Sequence, residues 1–223
     1  MSITDFEAII GYEFNNKDLL KTALTHSSYA NENKMPHNNE RLEFLGDSVL
    51  GFVTAEYLFT EFKGRPEGEL TKLRAAVVCE KSLFKFAEKI SLGEHIYMGR
   101  GEAHSGGRNR PSIVSDAFEA VIAAMYLDGG IDAVRPYILG FIKDAVKREA
   151  SFKDNKSLLQ EEIQKIKGNT IAYEEIGESG PDHEKVFSFV VKLNGEIIGE
   201  GEGKSKKEAE QAAAGDALLK IKK

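Results

Sequence analysis

The chain has 223 residues, 41% of them hydrophobic and 30% charged, with a formal net charge of −6. That supplies apolar material for one large core or two modest ones. No run of about 18 apolar residues occurs, which excludes a membrane-spanning helix, and the opening MSITDFEAII shows no basic stretch leading into an apolar one, so no secretory signal is expected. The single cysteine, Cys79, excludes an internal disulfide and fits a reduced, cytoplasmic setting; its apolar run, AAVVCE, suggests a core position. Residues 154–223 hold 11 Lys against 14 Asp and Glu, so any nucleic-acid-binding face has to come from local clustering and not from bulk charge.

Residues 1–150 read as helices. Thr4 with Glu7 forms a capping-box pattern ahead of Ile9 and Ile10. Leu19, Leu20, Ala23 and Leu24 mark a second helical face, and the polar stretch NENKMPHNNE reads as a loop. Leu42, Leu45, Val49, Phe52 and Val53 repeat at helical spacing toward Phe59. Pro66 and Gly68 punctuate the chain before the helix containing LRAAVV, and the Gly-rich segment 99–112 reads as another loop. The very apolar helix DAFEAVIAAMYL follows and stops at Gly129-Gly130, after which one more helix covers roughly 131–149.

The texture changes at 151–156, a short linker. Ser157 and Gln160 form an S-x-x-Q signal opening a helix toward Lys167. In VFSFVVKL, Phe187, Phe189, Val191 and Leu193 alternate and share one strand face. Asn194-Gly195 is a hairpin turn signal, EIIGEG a third strand, and Ser205 with Glu208 a cap for an Ala-rich helix. The order α-β-β-β-α predicts two helices packed on one face of an antiparallel sheet. The fold class is therefore an all-α domain followed by a small α+β domain.

Two groups of acids stand out. Glu40, Glu43 and Asp47, at i, i+3 and i+7, fall within an arc of roughly 60° on one helix face. Asp116 and Glu119 stand at i, i+3 in a helix that is otherwise apolar, with no Lys or Arg between Pro111 and Asp132. A carboxylate buried there without a partner costs several kcal/mol. Three readings remain open: a solvated acidic face, stabilisation of Asp116 by the first turn of its helix, or a divalent cation held by both groups, which would serve phosphodiester hydrolysis.

The run NERLEFLGDSVL (39–50) resembles the signature of the ribonuclease III family. The blocks ALTHSSYANE (23–32), EGELTKLRAA (67–76), MGRGEAHSGGRNRPSIVSDAFEA (98–120) and YLDGG (126–130) extend the resemblance over almost the whole first domain. It implies that Glu43, Asp47, Asp116 and Glu119 are metal-site carboxylates, with Asp47 and Glu119 the catalytic pair. Glu40 and Glu67 match supporting acids, Glu67 beside the RNA path. It further implies Mg²⁺ as cofactor, with Mn²⁺ as an alternative, and a homodimer with the signature helix, Phe44 and Leu45 included, in its interface. Each of the two sites cuts one strand of duplex RNA to leave 5′-phosphate and 3′-hydroxyl ends. Substrates implied are ribosomal RNA precursors and some messenger and transfer RNAs. Ser27 departs from the pattern, standing where the family often has a basic residue.

Residues 157–223 resemble the double-stranded-RNA-binding domain through SLLQEEIQ, GPDHEKVFSFVV and GEGKSKKEAEQAAA. Lys204, Lys206 and Lys207 crowd the start of the last helix, where free N–H groups and the helix dipole favour phosphate. Gln160 and Gln164, at i, i+4, share the face that in the family enters a minor groove, and His183 matches a residue that enters the next one. Arg100, Arg108 and Arg110 are either RNA contacts or ordinary surface charges. GRGEAHSGG has neither nucleotide-loop pattern, so no nucleotide cofactor is expected, and the histidines, His26 among them, show no zinc spacing. The rival function is a non-catalytic duplex-RNA-binding protein on the same scaffold.

Overall fold

The computed structural model describes residues 3–151, 155–166, 168–181 and 185–221. The chain divides into two units, Met1–Glu149 and Ala150–Lys223. The first is helical: α1 (Ile3–Ile10), α2 (Lys17–Ala23), α3 (Ser27–Glu32), α4 (Glu40–Glu61), α5 (Glu67–Val77), α6 (Glu80–Lys89), α7 (Leu92–His95), α8 (Arg100–His104) and α9 (Pro111–Ser151). Its extended pairing, among the described residues, is one bridge between Thr25 and Tyr97.

The long helix α9 organises this unit. Pro111 occupies its first position, where a missing N–H costs nothing. Ala117, Phe118, Ala120, Val121, Ile122, Ala123, Ala124 and Met125 are all at most 1% exposed, so the helix is buried on every side there. Each of the larger side chains contributes about 2 kcal/mol of transfer free energy. Phe118 packs on Phe86 and Phe141 at 6.1 and 5.4 Å between ring centroids, which fixes the rotation of the helix about its axis. The helical run breaks at Gly130 (φ 75°, ψ −174°), a conformation that a side chain would resist.

Several local expectations are corrected. Thr4 already lies inside α1, and the buried Glu7 does not cap it. Its carboxylate accepts from the Phe14 N–H at 2.8 Å and from Lys17 Nζ at 2.6 Å, tying α1 to the start of α2. The segments 31–40 and 99–112 are not simple loops, because α3 runs to Glu32 and α8 with a 3-10 turn at Gly107–Asn109 occupies the Gly-rich stretch. Helices α6 and α7 follow α5 without a sequence forecast. Cys79 is exposed, not core: α5 ends at Val77, and the thiol lies outside the helical period at the N-cap of α6.

The second unit runs α10 (Asn155–Gln164), β1 (Ile171–Ser179), β2 (Val186–Leu193), β3 (Glu196–Gly203) and α11 (Lys206–Ile221). The sheet order is β1-β2-β3 and both pairings are antiparallel. Helix α10 starts at Asn155, two residues before Ser157, which therefore lies inside the helix and not at its N-cap position. Asn194 and Gly195 both take positive φ, 52° and 93°, which suits the twist of a two-residue hairpin. The core joins Leu159 and Ile163 of α10, Phe189 and Val191 of β2, and Ala209, Ala213, Ala214 and Ala217 of α11, with Phe187 and Leu193 packed against it. This is the face that the alternation in VFSFVVKL predicts. Gly199, Gly201 and Gly203 alternate along β3 under the alanines, and a Cβ on Gly201 would stand 2.1 Å from the Ala213 nitrogen. Helix and strand backbones therefore touch directly.

Candidate metal centre

The start of α4 is pinned by its neighbours. The Asn39 N–H donates to the Thr25 carbonyl at 2.9 Å, and the Asn39 carbonyl accepts from the Glu43 N–H at 2.9 Å. The segment 24–26 is itself held by Tyr97, whose N–H donates to the Leu24 carbonyl at 2.7 Å and whose carbonyl accepts from the His26 N–H at 3.0 Å. The buried positions of α4 are Leu42, Gly46, Val49, Leu50, Val53, Thr54 and Leu58, one helical stripe. The half-buried Glu43 and the exposed Asp47 flank Gly46 along the helix. Gly46 meets α9 without a side chain between them, since a Cβ there would lie 1.9 Å from the Glu119 carbonyl oxygen.

This crossing brings acids from two distant helices together. Glu43, Asp116 and Glu119 each offer a carboxylate oxygen, and the three oxygens lie within 4.8 Å of one another. All three side chains are half-buried. Burial is the largest influence on Glu119 and, with the charges of Asp47, Asp116 and Glu43, pushes its carboxyl up to about 8. Glu43 is raised by burial and then by Asp116, Glu40 and Asp47. Asp116 is raised by burial and by Glu80, and pulled back by His26. Helix dipole support does not explain Asp116, which sits in the second turn of α9, beyond the first turn where that effect is concentrated.

Among the described residues no Lys or Arg forms an ion pair with Glu43, Asp116 or Glu119. A half-buried cluster of oxygen donors without a lysine or arginine partner among the described residues fits a hard divalent cation, which supplies positive charge and takes carboxylate ligands. Asp47 is exposed and outside the 4.8 Å group, yet its charge is the first to act on Glu119 after burial. Glu40 is exposed at the first position of α4 and acts on Glu43. Glu67, exposed in the first turn of α5, is not in the group; its Oε1 accepts from the Thr71 hydroxyl at 2.7 Å.

Two further neighbours, Glu80 and His26, act on Asp116. Glu80 opens α6, whose start is tied to α9 by the Ser115 hydroxyl donating to the Glu80 carbonyl at 3.1 Å. His26 caps α3, with Nδ1 held 2.8 Å from the Ser28 hydroxyl. His26 stood out only inside the ALTHSSYANE block and as a histidine without zinc spacing, and nothing local marks Glu80. The arginines also resolve in part. Arg108 donates to the carbonyls of Gly93, Glu94 and Ile96 at 2.9, 3.2 and 2.9 Å, a structural role, and Arg110 pairs with Glu102 at 2.6 Å.

In the second unit, Ser205 caps α11, accepting from the Glu208 N–H at 3.2 Å, while the Glu208 carboxylate accepts from the Lys204 N–H at 2.9 Å. Lys204 and Lys207 are exposed and form no ion pair among the described residues. Lys206 differs: its ammonium pairs with Glu175 Oε2 at 2.6 Å. Gln160 and Gln164 are exposed on α10, lining a groove of about 310 Å³ with Lys156, Asn169 and Tyr173. His183 lies outside the described residues.

Comparison with known proteins agrees with this division. A family model described as Ribonuclease-III-like matches residues 16–146, and one described as Double-stranded RNA binding motif matches residues 155–221. Ribonuclease 3 of Caldanaerobacter subterraneus subsp. tengcongensis is 52% identical over 223 residues, covering 98% of each chain. Ribonuclease 3 of Clostridium botulinum is 50% identical over 222 residues, covering 98% of this chain and 96% of the relative. The solved nuclease domain of ribonuclease III from Campylobacter jejuni superposes with a TM-score of 0.61 at 46% identity, over 65% of this chain and 98% of that one. With a helical nuclease unit, a duplex-RNA-binding unit and relatives matched along nearly its full length, the chain belongs to the ribonuclease III family of double-stranded-RNA endoribonucleases.

Proposed function

We propose that the chain hydrolyses double-stranded RNA at a carboxylate-held Mg²⁺ centre, with Mn²⁺ able to substitute, leaving 5′-phosphate and 3′-hydroxyl ends. Residues 1–150 form the catalytic domain, 151–156 a linker and 157–223 the duplex-binding domain. The observation that carries this reading is the meeting of Glu43, Asp116 and Glu119 at the α4–α9 crossing, with Glu119 pushed up to about 8. Glu43, Asp47, Asp116 and Glu119 hold the ion, Asp47 and Glu119 being the catalytic pair. Glu40 supports the cluster through Glu43, and Glu67 lies beside the RNA path. A Mg²⁺ held by these carboxylates would supply charge stabilisation at the scissile phosphate and lower the pKa of a bound water. With its carboxyl pushed up by burial and by the neighbouring acids, Glu119 would give up a proton to hold a cation, so ion binding would strengthen as pH rises.

The duplex is gripped by Lys204, Lys206 and Lys207 at the start of α11, while Gln160, Gln164 and His183 enter minor grooves. Cellular substrates are structured cytoplasmic precursors, chiefly ribosomal RNA with some messenger and transfer RNA. Two chains act together. Phe44, Phe52 and Phe59 leave 78%, 56% and 74% of their surface exposed, and their spacing places them on one side of α4. A second copy covers this stripe, and Leu45 packs with it; the Campylobacter jejuni nuclease domain likewise has a region involved in dimer formation. Sedimentation showing only monomer at micromolar concentration contradicts the dimer.

The decisive experiment incubates the chain with long duplex RNA in Mg²⁺ and then in EDTA. Cleavage in Mg²⁺ that stops in EDTA, with 5′-phosphate ends on the products, supports the reading. Binding without cleavage in Mg²⁺ favours the non-catalytic alternative.

A further inference from the structure

The three lysines at the start of α11 are not equivalent. Lys204 and Lys207 are exposed and without an ion pair among the described residues, but the Lys206 ammonium lies 2.6 Å from Glu175 Oε2 and 5.7 Å from the centre of the Phe187 ring. Glu175 belongs to β1, opposite Phe189 of β2. Ile171 and Tyr173, four and two residues earlier on the same strand face, pack against the core of the unit. Glu175 stands where that apolar face ends, just before the strand register shifts between Glu175 and Gly177. The strand therefore delivers a carboxylate to the rim of the core, beside the first residue of α11.

We infer that Glu175 is a built-in competitor for the RNA phosphate: it neutralises Lys206 in the free protein and has to be displaced when duplex binds, so it lowers both the affinity and the salt sensitivity of binding. This rests on reading the start of α11 as a phosphate grip. The pair is exposed enough to open, with 61% of the Lys206 side chain and 32% of the Glu175 side chain accessible, and pairs of that kind are held only weakly. A phosphate approaching Lys206 meets a fixed carboxylate on the same ammonium, and two anions on one cation repel. Counterion arithmetic separates Lys206 from its neighbours. A phosphate met by a free lysine releases its condensed cation to bulk. A phosphate met by Lys206 also has to open the Glu175 pair, whose attraction salt screens in turn, so the salt sensitivity of that contact is smaller than at a free lysine.

The test measures binding of a short duplex RNA by the full chain in EDTA, where cleavage is blocked, across a range of salt concentrations. The set is the parent, Glu175→Gln, Lys206→Ala and the double variant, with Lys204→Ala and Lys207→Ala as controls. Glutamine keeps the shape of the side chain and an oxygen acceptor, so the strand is undisturbed; a melting curve checks this. We expect Glu175→Gln to bind about fivefold tighter at low salt and its plot of log affinity against log salt to steepen by about 1. In the Lys206→Ala background the same substitution is expected to have much less effect on both quantities. Unchanged or weaker binding by Glu175→Gln overturns the inference, as does a gain that persists undiminished without Lys206. If Lys204→Ala and Lys207→Ala leave binding unaltered, the phosphate-grip reading itself fails; if they weaken it while Glu175→Gln changes nothing, only the competitor role fails.

Discussion

Gly46 of α4 lies directly against the backbone of Glu119 in α9: a Cβ at Gly46 would stand 1.9 Å from the Glu119 carbonyl oxygen and 2.5 Å from its carbonyl carbon. The obstacle is backbone inside a buried helix, which cannot swing aside as a side chain tip can. The glycine thus sets the separation of the two helices that carry the acids. Gly46→Ala is expected to force them apart, costing about 1–3 kcal/mol as an overpacked core does. Cleavage should fall far more than duplex binding, because binding resides in the second unit. Thermal melting and a cleavage assay on the same preparation check this; a variant with parental melting and turnover contradicts it.

Glu119 has the largest displacement among the clustered acids, from an ordinary value of 4.5 up to about 8, through burial first and then Asp47, Asp116 and Glu43. Between those two values the folded chain keeps a proton that the unfolded chain has lost. In the ion-free protein this group therefore subtracts stability as pH rises through the window. Glu119→Gln removes the effect. In EDTA the variant should gain stability relative to the parent between pH 5 and pH 8, by an amount on the order of 2 kcal/mol, reduced from the ideal by solvent access. Added Mg²⁺ should raise the parent's melting temperature more at pH 8 than at pH 6 and do little for the variant. Cutting should be abolished and duplex binding kept. A stability difference that shrinks with pH, or equal turnover by the two proteins, refutes this account of the site.

The acids of the site were legible because they break local patterns. Asp116 and Glu119 interrupt a run of apolar residues, and Glu40, Glu43 and Asp47 recur on one helix face, so spacing marked both groups, while their reading as metal ligands came from the resemblance carried by NERLEFLGDSVL. Glu80 and His26 were not legible, because their effect on Asp116 arises where separate helices meet, and nothing in either local sequence announces it. The α-β-β-β-α order followed from alternation and turn signals, which act within a few residues. Cys79 misled for the opposite reason: its neighbours are apolar, but α5 ends at Val77 and the helical period no longer applies two residues later. The pairing of Lys206 with Glu175 spans 31 residues and depends on strand register, so a lysine-rich run could not disclose it.

The glycine stripe of β3 makes a second packing prediction. A Cβ on Gly201 would stand 2.1 Å from the Ala213 nitrogen and 2.5 Å from the Ala212 carbonyl carbon, both backbone atoms of α11. Gly201→Val is expected to unseat α11 from the sheet, scattering the lysines at its start. Duplex binding should be lost, and the melting of the second unit should disappear or move sharply down. Helical content from the first unit should persist, measured by circular dichroism of the full chain. Retained binding with an unchanged melting profile is incompatible with backbone contact at this position.

Arg108 separates a structural arginine from an RNA contact. Its guanidinium donates to three carbonyls, those of Gly93, Glu94 and Ile96, and its own carbonyl is close enough to Gly93 that a Cβ there would approach within 2.1 Å. All three bonds come from the one nitrogen Nη1, which the rigid plane of the guanidinium holds in place; a lysine ammonium on its flexible stem is positioned less firmly. Arg108→Ala leaves those carbonyls without their charged donor and should cost about 2 kcal/mol, lowering the melting temperature by several degrees. Arg108→Lys should recover only part of the loss. Below the melting transition both variants should bind and cut duplex RNA as the parent does. Unchanged melting with weakened RNA binding would instead make Arg108 a substrate contact.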